Sequence, residues 1–305
     1  MTEPRHLIDA TVLVTGSTGL FGSALVHALA ERNRVIGLSR YSDATVRAEH
    51  EQLGIATVPV DLSEMRLDDL PDADVVFHCG AHMPAHGSER DPARTFDVNV
   101  GATGRLMMRY QEASAFFHCS SASVYEHRSA TRLDEGSRYG LHNGLETYAA
   151  SKIAAEGVVR FLSQELRLPA VIARIFNLYG PRQGPLVDRV RKVLADEVVP
   201  LHRDRPNRSC PLFVADAVKL AQAAVFVADI PPLTVNLAGS ETSTTEEYCE
   251  LAAELAGRTA RFEISERATY PLWPDLTRMH ERLGRAETSV EEGVRAVVAA
   301  LDDGS

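Results

Sequence analysis

The 305-residue chain is long enough for one large α/β domain or for a domain with a smaller lobe, and its 45% hydrophobic content can fill a core. A formal net charge of −10, spread along the chain, argues against a surface that binds nucleic acid. No apolar run reaches the length of a membrane span and the four cysteines form no Cys-x-x-Cys pair, so we expect a cytoplasmic protein with no membrane segment, disulfide or metal site.

The first predicted element is a short β-branched strand over residues 11–15, followed by a glycine turn and a helix that runs through Leu29. The glycines of the turn follow a G-x-x-G-x-x-G spacing, which lets the backbone approach a pyrophosphate closely. The start of the helix then offers free N–H groups and the positive end of its dipole. This pattern predicts a dinucleotide-binding turn, and its candidate residues are Gly16, Thr18, Gly19, Leu20, Phe21 and Gly22.

The second predicted strand covers residues 34–39 and leads into Ser39 and Arg40. Many NAD-binding sites have an acidic side chain at this place, where it holds the ribose 2′-hydroxyl. A serine hydroxyl and a guanidinium instead suit a 2′-phosphate, and no carboxylate at this place repels it. The sequence therefore favours NADP over NAD as the cofactor and leaves both open.

Two further strands are predicted over residues 56–60 and 74–79. The first ends where the adenine side of a dinucleotide would lie. Small residues follow the second, where a backbone has to pass close to a cofactor, and His82 comes next, near the expected substrate mouth. The cofactor-binding candidates in this part of the chain are Asp61, Leu62, Cys79, Gly80 and Ala81.

A long helical pattern over residues 91–113 leads to a fifth strand at 115–119, whose carboxyl end carries a serine-rich segment. Open α/β sheets place their sites at this edge, so Ser121 is a candidate hydrogen-bond partner for a substrate oxygen. Tyr148 and Lys152 are spaced so that both lie on one face of a helix. An ammonium beside a tyrosine hydroxyl lowers its pKa and favours proton transfer, which makes Ser121, Tyr148 and Lys152 the catalytic candidates.

The rest of the pattern predicts a strand over residues 169–176, a break at the Gly-Pro pair that follows, and a last short strand at 233–237. Basic residues between 182 and 208 would by themselves be a solvated face, but beside a phosphate-bearing substrate they would bind it. Residues 243–257 and 289–302 are predicted to be helical.

Together these motifs resemble the extended short-chain dehydrogenase/reductases, the NAD(P)-dependent nucleotide-sugar epimerase/dehydratase family, over roughly the whole chain. The matching stretches are VTGSTGLFG at 14–22, DL at 61–62, HCGA at 78–81, NVGAT at 99–103, SSASVY at 120–125, YAASK at 148–152 and RIFNLYGP at 174–181. The resemblance implies an α/β fold, a doubly wound parallel Rossmann sheet with a smaller, discontinuous C-terminal substrate lobe. The implied cofactor domain is 1–177 plus 209–240, and the implied lobe is 178–208 plus 241–305.

The resemblance also implies a role for each matching residue. Tyr148 would be the acid/base, Lys152 would hold the nicotinamide ribose, and Ser121 would bind the reacting oxygen of a nucleotide-diphosphate sugar. Further positions are Asn99 and Phe176 for the cofactor, and His82, Ala122, Ser123, Asn177 and Arg208 for the substrate, with Arg208 on the diphosphate. Family members usually form homodimers through two helices per subunit, here those that contain Asn99 and Tyr148.

One departure from the family pattern bears on the reaction. Dehydratases carry an Asp-Glu pair directly after the Ser or Thr of the fifth strand, and here Ala122 and Ser123 cannot supply the acid and base for elimination. The leading hypothesis is therefore an epimerase of a nucleotide-activated sugar that acts at C4 through a transient keto-sugar. The alternative, which Arg40 favours, is an NADPH-dependent ketoreductase of a keto-sugar or related ketone. A catalytically silent NADP-binding sensor or scaffold is the hypothesis from a different class.

Overall fold

The structure of the chain is a computed structural model, which describes residues 6–83, 91–127, 131–141, 145–266, 268 and 270–302. The chain divides into two compact units. The first contains the residues up to 121, 147–174 and 218–235, and the second contains 122–146, 175–217 and the residues from 236 onward. The domain boundaries given by the family resemblance remain a prediction.

The helices and strands follow one another in the alternating order that an α/β fold requires. The strands are β1 (Thr11–Thr15), β2 (Arg34–Ser39), β3 (Ala56–Pro59), β4 (Val75–His78), β5 (Ala115–Ser121), β6 (Ala170–Ile175), β7 (Leu178–Tyr179), β8 (Val198–Leu201), β9 (Arg208–Ser209), β10 (Leu212–Phe213), β11 (Leu233–Leu237), β12 (Ser243–Thr244) and β13 (Arg261–Ile264). The helices are α1 (Leu20–Ala30), α2 (Ala44–Gln52), α3 (Pro92–Phe96), α4 (Ala102–Arg109), α5 (Glu146–Leu166), α6 (Pro185–Leu194), α7 (Val214–Val225), α8 (Thr245–Leu255), α9 (Thr277–Arg282) and α10 (Val290–Asp302). Within the described ranges, none of the helices is both long and apolar enough to cross a lipid bilayer.

The central sheet has seven strands in the order β11-β6-β5-β4-β1-β2-β3. β1 lies between β2 and β4 and runs parallel to both, with Thr11 opposite Arg34 and Val12 opposite Val75. The chain winds outward from β1 in one direction and from β4 in the other, so the carboxyl ends of these two strands meet at the switch point, where such sheets bind ligands. The prediction of a doubly wound parallel sheet is confirmed.

Each unit has its own hydrophobic core. In the first unit, Val76 and Phe116 of the sheet pack with Leu106 of α4 and Val159 of α5 in one cluster, and all four side chains are buried. Helices cover such a parallel sheet on its faces, which explains why its strands read as continuous apolar runs. In the second unit, α6, α8 and α10 contribute to a separate cluster that includes the buried Val294.

Candidate active site

A cleft at the carboxyl ends of β1 to β4 brings together most of the residues that the sequence predicts to bind a cofactor. The predicted residues that line it are Gly16, Thr18, Gly19, Ser39, Arg40, Asp61, Leu62, Cys79, Gly80 and Ala81. His82, predicted to bind substrate, lines the same cleft. Sequence patterns miss Arg94 and Val98, which also line it, because they come from a helical segment distant in the chain from the glycine turn.

The glycine turn leaves no room for side chains where the backbone segments meet. Gly16 has a φ of +66°, and a Cβ atom there would lie 2.7 Å from the Cα of Gly80. A Cβ on Gly22 would collide with the carbonyl oxygen of Gly16. α1 begins at Leu20, and Gly19 before it provides no side-chain cap, so the N–H groups of the first turn stay available for a phosphate. This cradle fits the pyrophosphate of a dinucleotide.

Two hydrogen bonds organise the cleft at the ends of β2 and β3. The hydroxyls of Thr18 and Ser39 are 2.8 Å apart, and Arg40 beside them is exposed. The guanidinium of Arg94 donates to the Asp61 carboxylate at 2.6 Å. Burial opposes ionisation of Asp61, but hydrogen bonds from Ser63 and Arg94 outweigh it and lower the pKa of Asp61 to about 2. The Asp61 carboxylate in this cleft is therefore already paired with a cation.

The pairing of Asp61 predicts a loss of stability in acid. A carboxyl group whose folded pKa lies below its unfolded value of 3.8 stabilises the fold above that pH, and the stabilisation is lost as the pH falls toward 2. We expect Arg94→Met to lower the free energy of unfolding near pH 7 by on the order of 1 kcal/mol. Urea titrations at falling pH should show that the free energies of unfolding of the wild type and Arg94→Met approach each other. A difference that stays constant with pH would mean that Asp61 and Arg94 are not coupled.

Asn99 joins three parts of the first unit. Its side-chain oxygen accepts the His82 N–H at 2.7 Å, and its amide donates to the His82 carbonyl and to the Ser151 hydroxyl, each at 2.8 Å. The segment predicted over 91–113 is helical from Pro92 to Arg109 and includes a π-helical turn at Asp97–Gly101 between α3 and α4. That turn carries the buried Asn99, and such turns often occur at functional sites. Asn99 therefore positions the backbone beside the cleft, and direct contact with a cofactor stays a prediction.

The three catalytic candidates meet in the first unit. The hydroxyls of Tyr148 and Ser121 are hydrogen-bonded. Lys152 is buried, and its ammonium donates to the Cys119 carbonyl oxygen at 2.7 Å and lies 5.8 Å from the centroid of the Tyr148 ring. α5 begins at Glu146, so Tyr148 lies in its first turn and Lys152 one turn further on, as the spacing predicts. A donor, an acid/base and a cation are thus held together at the end of β5.

The electrostatics of this group differ in one respect from the sequence-based expectation. Burial raises the pKa of Tyr148 above its ordinary value. The hydrogen bond from Ser121 opposes this increase only in part, and the charge of Lys152 contributes no decrease. Burial also lowers the pKa of Lys152, while the nearby Glu156 carboxylate acts in the opposite direction. The phenol is therefore protonated at neutral pH in this structure, which is the form that donates a proton.

A buried ion cluster lies one turn beyond Lys152 on α5. The Glu156 side chain has no exposed surface and accepts two hydrogen bonds from the Arg174 guanidinium, at 2.9 and 2.8 Å. Arg160 donates to the same carboxylate at 2.9 Å, and the Ser120 hydroxyl donates at 2.6 Å. Because Ser120 precedes Ser121 on β5, the cluster fixes β5, α5 and β6 together at the catalytic residues. Its signal in the sequence is weak, an arginine inside the apolar strand β6.

Four further residues of the predicted ligand-binding set are also buried. Phe21 lies inside α1, and the fully buried Phe176 has its ring 5.9 Å from that of Tyr125. Ala122 and Ser123 belong to the single 3-10 turn that follows β5, with 7% and 4% of their surfaces exposed. Contacts of these residues with a cofactor or a substrate remain predictions.

A small polar pocket in the second unit contains the two residues predicted to bind the substrate's sugar and diphosphate. Asn177 has a φ of +40°, and its amide donates to the Ser209 hydroxyl at 2.9 Å. Asn177, Arg189 and Arg208 all line the pocket. Guanidinium and amide groups are the donors that bind phosphate and sugar hydroxyl oxygens well.

Trp273 packs against the arginines of this region. The guanidinium carbons of Arg208 and Arg132 each lie 4.7 Å from the centroid of the indole ring. Contacts of this kind are worth ~0.5–1 kcal/mol at exposed sites and limit the freedom of the long arginine side chain. Sequence patterns give only a loop at Trp273, so its contact with Arg208 is found in the structure alone.

The second unit also contains a group of side chains that could hold a metal ion. The sequence does not predict this group, because its cysteines form no Cys-x-x-Cys pair. His127, His202 and Asp204 place their nitrogen and oxygen atoms within 4.8 Å of one another, as ligands of a metal ion would be. The ring of His127 stacks on Tyr270 at 4.1 Å, and its Nε2 lies 2.9 Å from the Asp204 carboxylate. That hydrogen bond and the stacking account for the arrangement without an ion.

Residues 12–229 match the model of the NAD dependent epimerase/dehydratase family. The chain is similar to an uncharacterized UDP-glucose epimerase of Bacillus subtilis, with 24% identity over 95% of this chain and 97% of that protein. It is 27% identical to a dTDP-glucose 4,6-dehydratase of Neisseria gonorrhoeae, over 83% of this chain and 82% of that protein. The crystal structure of UDP-glucuronic acid 4-epimerase from Bacillus cereus with UDP-glucuronic acid and NAD has a TM-score of 0.83 and 22% identity, and the match covers 97% of this chain and 100% of that one. This structural match shows a shared fold.

Proposed function

Because the chain belongs to the NAD dependent epimerase/dehydratase family, we propose that it epimerises the sugar of a nucleotide-activated sugar at C4 through a transient keto-sugar. The observation that carries this proposal is the hydrogen bond between Ser121 and Tyr148, with Lys152 one helical turn away. A hydroxyl held in this way can exchange a proton with a carbinol oxygen. A binding protein without chemistry has no need for the three groups together.

The proposed reaction assigns one task to each side chain. Ser121 orients the Tyr148 hydroxyl and hydrogen-bonds the C4 oxygen, which fixes the distance over which the proton moves. Tyr148 first loses its hydroxyl proton to solvent, then takes the proton of the C4 hydroxyl as the keto-sugar forms and returns it as the sugar is reduced. Lys152 is proposed to hold the nicotinamide ribose beside Tyr148. A bound nicotinamide would accept the C4 hydride and return it to the opposite face of the sugar.

The turn after β5 separates this proposal from dehydration. Elimination of water needs an acid and a base beside the sugar, and the two residues after Ser121 are the buried Ala122 and Ser123. Neither offers a carboxyl group. Similarity to the dTDP-glucose 4,6-dehydratase of Neisseria gonorrhoeae therefore does not by itself favour elimination of water by this chain.

A test with separate incubations distinguishes the proposal from its alternatives. The purified protein is incubated with UDP-glucose or UDP-glucuronic acid and a catalytic amount of NAD or NADP, without added reductant. We expect the C4 epimer to form, by chromatography and NMR, with no net change in absorbance at about 340 nm. An NADPH-dependent ketoreductase, the alternative that Arg40 favours, would instead consume NADPH with a keto-sugar. No turnover in either assay would favour the silent sensor or scaffold.

The substrate's diphosphate is proposed to bind the polar pocket of the second unit. Arg208 is the proposed ligand of the diphosphate, and Asn177 is the proposed ligand of the sugar. Packing against Trp273 preorganises the Arg208 guanidinium, which lowers the entropy cost of binding an anion. Titration with UDP alone tests this assignment, since Arg208→Met should weaken UDP binding without changing cofactor binding.

The cofactor is proposed to be NADP in preference to NAD. The support is the exposed Arg40 directly after β2 and the pairing of Asp61 with Arg94, which neutralises the charge of that carboxylate. The solved epimerase from Bacillus cereus contains NAD, so the preference has to be measured in this chain.

We expect Arg40→Asp to weaken NADP binding by at least about tenfold and NAD binding far less, because it replaces a 2′-phosphate partner with a like charge. Arg34→Asp is the matched control, since Arg34 is an exposed arginine at the opposite end of the same strand. Dissociation constants for both cofactors would be measured by calorimetry. Equal losses for NADP and NAD would show that Arg40 is an ordinary surface residue.

A homodimer is proposed through the helices that contain Asn99 and Tyr148. Phe96, Met108 and Phe161 of these helices leave 59%, 47% and 62% of their surfaces exposed, although they are large and apolar. Such side chains often lie in protein interfaces. We expect the protein to sediment as a dimer and Phe161→Asp to shift it toward the monomer. A wild-type monomer at micromolar concentration would contradict this.

The cytoplasm is the proposed location. Cys79, Cys119, Cys210 and Cys249 are all free thiols. Reducing compartments keep thiols in this state, whereas secreted proteins usually pair them. Fractionation of cells that express the tagged chain tests this directly.

A further inference from the structure

We propose that Cys79 and Cys119 form a peroxide-sensitive dithiol at the cofactor site, which closes to a disulfide and reversibly stops turnover. The chemistry of the pair depends only on the two thiols and their surroundings. Its consequence for turnover rests on the proposed epimerase function.

The sheet places the two cysteines side by side. His78 of β4 is paired with His118 of β5 in a parallel register, so Cys79 and Cys119 are the next neighbours along the two strands. Adjacent strands are ~4.8 Å apart, and disulfides span Cα separations of ~4.4–6.8 Å. The two thiols also shift each other's pKa, in opposite directions, as close neighbours do. A bridge can therefore form without a large backbone movement.

The surroundings make Cys119 the reactive thiol of the pair. A hydrogen bond from Cys79 lowers the pKa of Cys119, burial opposes this, and the charge of Lys152 acts with the hydrogen bond. Burial instead raises the pKa of Cys79, which stays a thiol. Both residues keep part of their surface exposed, whereas Cys210 and Cys249 are buried. Burial raises the pKa of those two thiols, that of Cys249 to about 12.

The reaction with hydrogen peroxide balances in two steps. The Cys119 thiolate attacks one peroxide oxygen, the O–O bond breaks, and the departing hydroxide takes a proton to become water, which leaves a sulfenic acid. The Cys79 sulfur then attacks the Cys119 sulfur, the S–O bond breaks, and a second water forms. Two thiols and one peroxide thus give one disulfide and two waters. The peroxide is the oxidant, and an external thiol reverses the reaction.

The bridge would act at two points of the site. Cys79 lines the cofactor cleft, so a bond from its sulfur to Cys119 changes the wall of that cleft. The Cys119 carbonyl oxygen holds the ammonium of Lys152 at 2.7 Å, so strain at Cys119 is passed to Lys152. We expect the oxidised protein to lose at least about tenfold in turnover and to recover it with dithiothreitol.

The test maps the bond directly. The purified chain is treated with hydrogen peroxide, remaining thiols are alkylated, and peptides are analysed by mass spectrometry without reduction. We expect two free thiols to disappear and a linked pair of peptides that contain Cys79 and Cys119. Cys79→Ser and Cys119→Ser should each lack the link, and Cys210→Ala should retain it, with circular dichroism to confirm folding. Unchanged thiols, a link through Cys210 or Cys249, or separate oxidation of the two cysteines to sulfinic acids would overturn the proposal.

A second measurement keeps this inference separate from the proposed function. Phenylarsine oxide bridges two neighbouring thiols without oxidising them, and it should bind the wild-type chain and neither serine variant. Peptide mapping and arsenical binding need no turnover, so both can succeed even if the protein proves not to be an epimerase. Full turnover by the cross-linked protein, measured in an active preparation, would refute the regulatory consequence.

Discussion

Tyr148→Phe is expected to lower turnover by at least about 10²-fold while the cofactor still binds. The change removes only the hydroxyl that is hydrogen-bonded to Ser121, and the ring keeps its place in the first turn of α5. Proton exchange with the C4 oxygen then has no donor or acceptor. The turnover number on the nucleotide sugar and the dissociation constant of the cofactor, measured on the same preparation, separate the two effects.

Variants of the other two catalytic residues test whether the losses of turnover and of cofactor binding follow the order that this mechanism requires. Lys152→Ala should damage both cofactor binding and turnover, since one ammonium serves both, and Ser121→Ala should mainly lower the rate. Tyr110→Phe is the matched control, because its hydroxyl donates to the Pro71 carbonyl at 2.9 Å, away from the catalytic residues. It should keep its turnover. Near-normal turnover of Tyr148→Phe would contradict both the epimerase and the reductase, and would leave the silent scaffold.

Arg174→Met is expected to lower the free energy of unfolding by ~3–5 kcal/mol. The Glu156 carboxylate has no exposed surface, and the Arg174 guanidinium, itself 2% exposed, provides two of its hydrogen bonds. Removal of the arginine leaves a buried, desolvated charge without its main partner, and the carboxylate must then gain water or a proton. Urea titration followed by circular dichroism gives the difference in free energy.

The same carboxylate provides a matched control. Arg160 donates to Glu156 at 2.9 Å, but its side chain is 35% exposed, so Arg160→Met should cost only about 1 kcal/mol. The double variant Glu156→Leu/Arg174→Met should recover much of the loss, because it removes both buried charges. If Arg160→Met and Arg174→Met lowered the free energy of unfolding equally, burial of the Arg174 guanidinium would add nothing to the strength of its ion pair with Glu156.

The fold could be predicted because its signals are local. The strand at residues 11–15, the glycine turn and the Tyr148 and Lys152 spacing each depend on a few neighbouring residues, and all three occur where the sequence predicts them. The helical pattern over 91–113 is found from Pro92 to Arg109, but it contains a π-helical turn that carries Asn99, whose side chain is bonded to the His82 backbone. Periodicity alone carries no sign of such a turn.

The parts of the site that could not be predicted depend on contacts between distant residues. Arg94 binds Asp61 across 33 positions of the chain, and a helical arginine gives no sign of that partner. Arg174 in β6 meets Glu156 on α5, and both are charged residues that a pattern would place at the surface. Cys79 and Cys119 become neighbours only through the register of β4 and β5. Pairing across a sheet is a property of the fold and not of any short stretch.

Trp273 gives the protein a built-in optical reporter. It is the only tryptophan in the 305-residue sequence, so the indole emission of the whole chain comes from one place. That place lies against the guanidinium of Arg208, and an anion that approaches Arg208 changes the electric field at the ring. Unlabelled protein could therefore report occupancy of the polar pocket in the second unit during a single titration, on a sample that also reports catalysis.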